Sequence, residues 1–144
     1  MKTVNQMRLS FPSKSRNEAF ARSAVSSFVT SLDPTLNELN DLKTAVSEAV
    51  TNCIVHGYRR QNGTIYIYAS VKEDNTVTVK IRDKGVGIED ISKAMEPLFT
   101  TSPGEERAGL GFAVMQSFCD RVKVSSQVGR GTTVTLIKRI GANG

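Results

Sequence analysis

Glu48-Ala-Val-Thr-Asn52 is followed along the chain by Asp83-Lys-Gly-Val-Gly87, by Gly109-Leu-Gly111 and by Gly129-Arg-Gly-Thr-Thr133. On a helix, residues i and i+4 share a face, so a helical reading puts the Glu48 carboxylate and the Asn52 amide on one side, a turn apart. An amide oxygen there can ligate magnesium. A carboxylate there can orient or deprotonate a nucleophile. The glycine-rich turns downstream let backbone come close to a ligand and present N–H groups to phosphate. Asp-x-Gly-x-Gly alone is a common turn sequence. The weight lies in the order of all four segments within 144 residues.

Around these segments the chain is ordinary. Its length suits one domain, residues 1–144, with an ordered core over about 7–138. A hydrophobic fraction of 39% with 23% charged residues is that of a globular protein. No apolar run reaches the length of a membrane span. Lys2 has no apolar stretch behind it, so no signal peptide is expected and the cytoplasm is the expected compartment. Cys53 and Cys119 fit no metal-ligand spacing and read as reduced, small hydrophobic residues. The net charge of +5 is spread along the chain, with short clusters at Arg59-Arg60 and Lys138-Arg139. Aromatics are few and tryptophan is absent, which argues against direct nucleic-acid binding. Most of this charge reads as solvated surface, with part of it available to phosphates or to an acidic partner.

The periodicities place the segments on elements. Met7, Leu9 and Phe11 alternate with polar residues as a strand does, and Pro12 ends it. Ser15-Arg-Asn-Glu18 has the form of a capping box for a helix running to about Ser31, with Phe20, Ala24, Val25 and Phe28 on its apolar face. Asp33-Pro34 reads as the start of a second helix. That helix extends to about His56, carries Leu39, Leu42, Val46, Ala49, Val50 and Cys53 as its stripe, and stops at Gly57. Thr64–Lys72 and Val77–Ile81 alternate as a hairpin that delivers Asp83 to a strand end. A short helix is expected over Ile88–Met95, a mobile loop over Pro97–Ala108, and a third long helix from Gly109 to Asp120. Val122–Ser126 and Thr133–Ile137 form a second hairpin, and the tail Gly141–Gly144 frays. The expected architecture is a two-layer α/β sandwich: one mixed, mainly antiparallel sheet with helices on one face.

Each candidate residue has a plain reading beside its chemical one. Glu48 is either a solvated helix glutamate or a general base. Asn52 is a tolerated surface residue or a magnesium ligand. Asp83 begins a turn, or accepts from an exocyclic amine through a strand-end carboxylate. Gly85 and Gly87 then let backbone approach the same ligand. Gly109, Leu110 and Gly111 open a helix whose free N–H groups suit phosphate, and Arg107 lies close enough in sequence to stabilise a terminal phosphate. Thr132 starts a strand well in any case. His56 reads as a helix C-terminal histidine. Glu18 and Arg22, four apart on the first helix, form a solvated pair or a protein-docking pair.

The order of these segments resembles the GHKL ATP-binding fold, shared by type II topoisomerases, mismatch-repair and chaperone ATPases and sensor histidine kinases. Glu48–Asn52 looks like its N box, and Asp83–Gly87 and Gly109–Gly111 like its two glycine boxes. The small size, Glu96-Pro-Leu-Phe-Thr-Thr101 and Arg107-Ala-Gly-Leu-Gly-Phe112 resemble the bacterial anti-sigma serine kinases, their sporulation branch in particular. The resemblance covers about Met7 to Lys138. It implies that Asp83 contacts adenine with Thr132 beside it, and that Asn52 ligates magnesium bridging the phosphates of ATP. It further implies a homodimer that binds an RNA polymerase sigma factor and phosphorylates a serine of an anti-anti-sigma protein. An ATP-hydrolysing or ATP-sensing switch uses the same site, but such proteins carry transducer domains. A histidine kinase needs a phosphoacceptor helix pair.

Overall fold

Alternating apolar residues join the chain into one five-stranded sheet of order β1-β2-β3-β5-β4, where β1 is Thr3–Pro12, β2 Thr64–Lys72, β3 Thr76–Asp83, β4 Arg121–Gln127 and β5 Gly131–Arg139. The structure, a computed structural model, describes residues 1–95 and 107–141, and for 107–110 the backbone alone. All four strand pairings are antiparallel. The helices are α1 (Arg16–Val29), α2 (Leu36–Asn52), α3 (Ile91–Ala94) and α4 (Arg107–Phe118). Packing of α2 against α1, α4, β3 and β5 makes it the central helix of its layer. This is the expected two-layer sandwich, with one correction: the sheet is antiparallel throughout, where a mixed one was expected. Its core interleaves Val25, Leu42, Val46 and Val50 from the helices with Ile67, Val79, Ile81 and Leu136 from the sheet. Among the described residues no helix is long and apolar enough to cross a membrane.

Three local expectations are corrected. The residues that α1 buries fully are Ala21, Val25 and Val29; of the expected face Val25 is among them and Phe28 packs part-buried on the core, while Phe20 is not in it. Small and β-branched side chains let α1 lie close on its neighbours. Phe20 is 53% exposed, and its ring meets the edge of Phe11 at 6.0 Å between centroids. Nor does Ser15 form a capping box. Its backbone is already helical and its side chain makes no cap hydrogen bond. The Glu18 carboxylate instead accepts from the Ser47 hydroxyl on α2 and pairs with Arg22 Nε at 3.2 Å. The pair therefore turns toward the α1–α2 seam.

The start of α2 is also displaced. Asp33 sits in the left-handed region at φ 55° and closes a 3-10 turn over Thr30–Leu32. The capping box lies at Thr35. Its hydroxyl accepts from Glu38 N at 3.1 Å, and Thr35 N donates to Glu38 Oε1 at 2.9 Å. Glu38 also accepts from Gly141 N at 2.7 Å, which fastens the end of the last strand to the head of α2. The loop expected over Pro97–Ala108 lies outside the described residues as far as 106, as do the last residues of the tail.

Thr35→Ala removes one side of that box. It should cost about 1 kcal/mol, which lowers the melting temperature by roughly 3–5 °C for a domain of this size. Thermal denaturation followed by circular dichroism checks this. An unchanged midpoint would mean that α2 is held by packing alone.

Candidate functional site

The C-terminal end of α2 is where the regular helix stops. After Asn52 the chain widens into a π turn, Cys53–Gly57, which Tyr58 N closes onto Cys53 O at 2.8 Å. Such turns are uncommon and concentrate at functional sites. Here the turn brings helix backbone against the loop that follows β3. Val86 N donates to Gly57 O at 2.9 Å. A Cβ added to Gly85 would lie 2.0 Å from that same carbonyl oxygen, and one added to Gly57 would lie 2.6 Å from Asp83 Oδ2. Gly57, read from sequence as a helix stop, is thus a packing glycine beneath the Asp83 carboxylate.

Asp83 ends β3 and is 4% exposed. Its Oδ1 accepts from Gly85 N at 2.9 Å. The Cys53 thiol and the Thr132 backbone lie beside it. Burial pushes the Asp83 carboxyl above the ordinary carboxylate range, and these neighbours pull the other way. Burial, reinforced by the Asp83 charge, pushes the Cys53 thiol well up, so it stays a protonated donor. Thr132 stands opposite Asp83 in the β3–β5 register. The turn before it needs Gly131 at φ 116°, where a Cβ would lie 2.1 Å from Asp83 O.

A second set of bonds ties the first glycine box to the β4–β5 hairpin. Gly87 takes φ 80°, and Gly129 N donates to Val86 O at 2.8 Å. Ser126 Oγ accepts from Ile88 N at 2.8 Å, donates to Gly131 O at 3.0 Å and lies 2.8 Å from Thr132 Oγ1. Tyr58 braces the far side: its hydroxyl donates to Thr64 O at 2.5 Å and accepts from Lys84 N at 2.7 Å.

These elements enclose one pocket, with Asn52, Cys53, Asp83, Gly87, Phe112 and Thr132 among its walls. The N box borders it from α2. A Cβ on Gly111 would lie 3.3 Å from both Glu48 Oε2 and Asn52 Oδ1, so the opening turns of α4 rest on this acid–amide pair. The Asn52 Nδ2 is buried and finds no hydrogen-bond partner among the described residues. Arg107 begins α4 two residues before the expected start at Gly109, so Gly109, Leu110 and Gly111 lie inside its first turns. The structure thus gathers Glu48, Asn52, Asp83, Gly85, Gly87, Gly111 and Thr132 at one end of the sheet. Glu18 lies apart, in a polar groove with Ser47, Thr51 and Arg60 that meets the pocket at His56.

Cys53, Gly57, Tyr58 and Ser126 are the site residues that sequence reasoning did not find. Cys53 sits on the apolar stripe of α2 and looks like core. Tyr58 and Ser126 act through main-chain bonds that no spacing announces.

The raised Asp83 pKa has a consequence for stability. A carboxyl whose folded pKa lies above its unfolded value contributes stability that is fully present below the unfolded pKa and is lost as pH rises through the folded one. Asp83→Asn removes that dependence and keeps an oxygen acceptor for Gly85 N and Cys53. The variant should melt at or above the wild-type temperature at pH 7, and the wild type should gain on it as pH falls toward 4. A variant clearly less stable at pH 7 would show that the ionised carboxylate is stabilising here.

With the geometry in place, comparison with known proteins is direct. Residues 11–138 match the histidine kinase-like ATPase domain family. An anti-sigma F factor of Thermoanaerobacter sp. (strain X514) is 54% identical over 143 residues, 99% of each chain. Those of Clostridium beijerinckii and Priestia megaterium are 55% and 50% identical, over 94% of this chain and 94% and 93% of theirs. Among solved structures, the RsbU and RsbW domains of a Mycobacterium tuberculosis protein superpose with a TM-score of 0.69 at 18% identity, covering 95% of this chain and 33% of that one. The histidine kinase domain of a blue-light activated kinase from Erythrobacter litoralis superposes with a TM-score of 0.57 at 18% identity, covering 85% and 60%. The chain belongs to the histidine kinase-like ATPase domain family and, within it, to the anti-sigma F factors.

Proposed function

We propose that this chain is an anti-sigma factor and an ATP- and magnesium-dependent serine protein kinase, folded as one domain and working as a cytoplasmic homodimer. It binds an RNA polymerase sigma factor of the sigma-F type and phosphorylates a serine of the anti-anti-sigma protein that opposes it. The observation that carries the reading is the arrangement at the end of the sheet. A buried carboxylate, Asp83, faces a pocket whose opposite rim holds the Glu48–Asn52 pair against α4. An acceptor-only carboxylate suits the exocyclic amine of adenine, and the choice of ATP follows the histidine kinase-like ATPase family to which the chain belongs.

The residues fit magnesium. The cation takes oxygen donors and keeps several waters, so one amide oxygen beside nucleotide phosphates is a sufficient protein contribution. Asn52 supplies such an amide oxygen, and its Nδ2, buried without a hydrogen-bond partner among the described residues, is a donor left for a phosphate oxygen. When bound, magnesium neutralises charge on the phosphates. The protein's own part is positioning. Asp83 and Thr132 hold the base, with Gly85 and Gly87 close beside it. N–H groups at the start of α4, at Gly109, Leu110 and Gly111, and the Arg107 guanidinium hold the phosphates. Glu48 orients the serine hydroxyl and takes its proton. The sigma factor enters through the names of the relatives, the antagonist is part of the proposed reading, and the Glu18–Arg22 pair at the α1–α2 seam is the surface assigned to the sigma factor.

Asp83→Asn should weaken ATP binding by about 1–3 kcal/mol, roughly tenfold to a hundredfold in calorimetry. Asn52→Ala should weaken only the magnesium-dependent part of that binding. Glu48→Gln should bind ATP normally and transfer phosphate to the antagonist at least 100-fold more slowly, on the order of what a general base supplies. Full transfer by Glu48→Gln would remove Glu48 from the chemistry. Phosphate release without a protein acceptor would favour an ATP-hydrolysing switch instead. Arg22→Glu should leave ATP affinity alone and weaken sigma binding by roughly tenfold or more, as expected when a docking charge is reversed. Normal sigma binding by that variant would move the docking surface elsewhere.

A further inference from the structure

We propose that the open face of the sheet is a docking surface for an acidic protein partner. The helices cover one face of the sheet, and the strand alternation turns a different set of side chains outward. Arg8 on β1, Lys80 and Arg82 on β3, and Arg121 and Lys123 on β4 are all exposed there. The register sets them in rows. Arg8 stands opposite Tyr68, Tyr68 opposite Lys80, Lys80 opposite Thr135, and Thr135 opposite Lys123. The next row holds Ser10, Tyr66, Arg82, Thr133 and Ser125. Strands lie about 4.8 Å apart, so cations on alternate strands repeat at about 10 Å.

The sign of the charge is uniform. Asp83 is the only carboxylate in any of the five strands, and it is buried on the helix side. Among the described residues none of these cations pairs with an aspartate or glutamate. The middle of the face is an open groove of about 620 Å³ whose polar walls include Arg8, Tyr68, Lys80, Arg82 and Thr133. A solvated surface normally mixes both signs. A face of one sign repels its own copy and attracts a surface of the other, and complementary potentials of this kind set partner choice and encounter rate.

The rings choose among anions. Nucleic acid without sequence preference needs open aromatic faces on which bases stack. Arg8 lies over the Tyr68 ring at 5.1 Å and Lys84 over the Tyr66 ring at 5.0 Å, so a cation already occupies a face of each. A lipid surface would need apolar side chains to insert. Ile67 lies in the core and Leu9 packs against it, Ile137 opposite Arg121 is part-buried, and the two rows that cross the groove hold hydroxyls, tyrosines and cations. What remains is a partner presenting carboxylates at about the spacing of alternate strands.

The test uses fluorescein-labelled poly-glutamate of about 20 residues as the probe, titrated with the full chain at low and at physiological salt and followed by anisotropy. Wild-type protein should bind it, more weakly as salt rises. Lys80→Glu and Lys123→Glu, which alter exposed side chains, should each lower the affinity at least tenfold while ATP binding and the melting temperature stay unchanged. Lys43→Glu, on the helix layer, should bind as wild type. The proposal is overturned if poly-glutamate does not bind, or if the Lys43 variant loses as much as the sheet variants. Tighter binding of oligo-thymidine or of phosphatidylserine vesicles than of poly-glutamate would also overturn it, in favour of nucleic acid or membrane. So would sheet-face variants that change the sedimentation of the free protein, which would make the face a contact between copies.

Discussion

A carboxylate that must be buried, yet left facing a ligand, constrains this structure more than any other group. Asp83 is held where three stretches of backbone converge on it, at Gly57, Gly85 and Gly131, each too close to admit a Cβ. A side chain at any of them would push apart the π turn, the first glycine box or the β4–β5 hairpin. Those three pieces come from distant parts of the sequence. Fixing Asp83 therefore fixes how α2, β3 and β5 meet, and the pocket follows from that meeting. Glycine serves here less for conformational freedom than for absence of bulk. Gly57 and Gly85 have ordinary φ, and only Gly131 needs the left-handed half of the map.

The arrangement is not optimal for stability. Burial raises the Asp83 carboxyl, and its few donors do not fully offset this. Asn52 adds a buried amide nitrogen without a partner among the described residues. Both are costs of a kind that interiors normally avoid. Their concentration around one pocket, with a π turn between them, is the pattern of a binding site whose final bonds are made by its ligand. The core alongside is conventional, with Val46, Val50, Val79 and Leu136 buried and apolar. Stability thus comes from the middle of the sandwich, and the candidate site is confined to its end.

This division explains what could be read from the residues alone. The strands were legible because a period of two survives any packing, and Thr64–Lys72 emerged with both ends as expected. The acid–amide pair and the glycine boxes were legible because residue type and order carry them. Helix ends were not. Ser15 and Asp33 each have the chemistry of a cap, but a tertiary bond in one case and a local turn in the other decided otherwise. Glu18 is drawn to Ser47 on another helix, and Asp33 is spent closing a 3-10 turn. The π turn was illegible in principle, since a search at 3.6 residues per turn averages over one widened turn. Cys53 was invisible for a related reason: at that point the apolar stripe and the pocket wall are the same surface.

The pocket and the open face are also linked by the pleat. Arg82 and Asp83 are adjacent, and a strand sends successive side chains to opposite faces. Arg82 is exposed on the cationic face, and Asp83 is buried against the π turn. Opposite them, Thr133 lines the outer groove and Thr132 lines the pocket. One register therefore serves both surfaces, and a slip of one residue in the β3–β5 pairing would exchange them. It would bury Arg82 among glycine backbones and expose the adjacent carboxylate. The penalty for a buried, unpaired guanidinium far exceeds any gain in sheet pairing. The charge pattern that makes the two faces chemically different thus also specifies how the strands align.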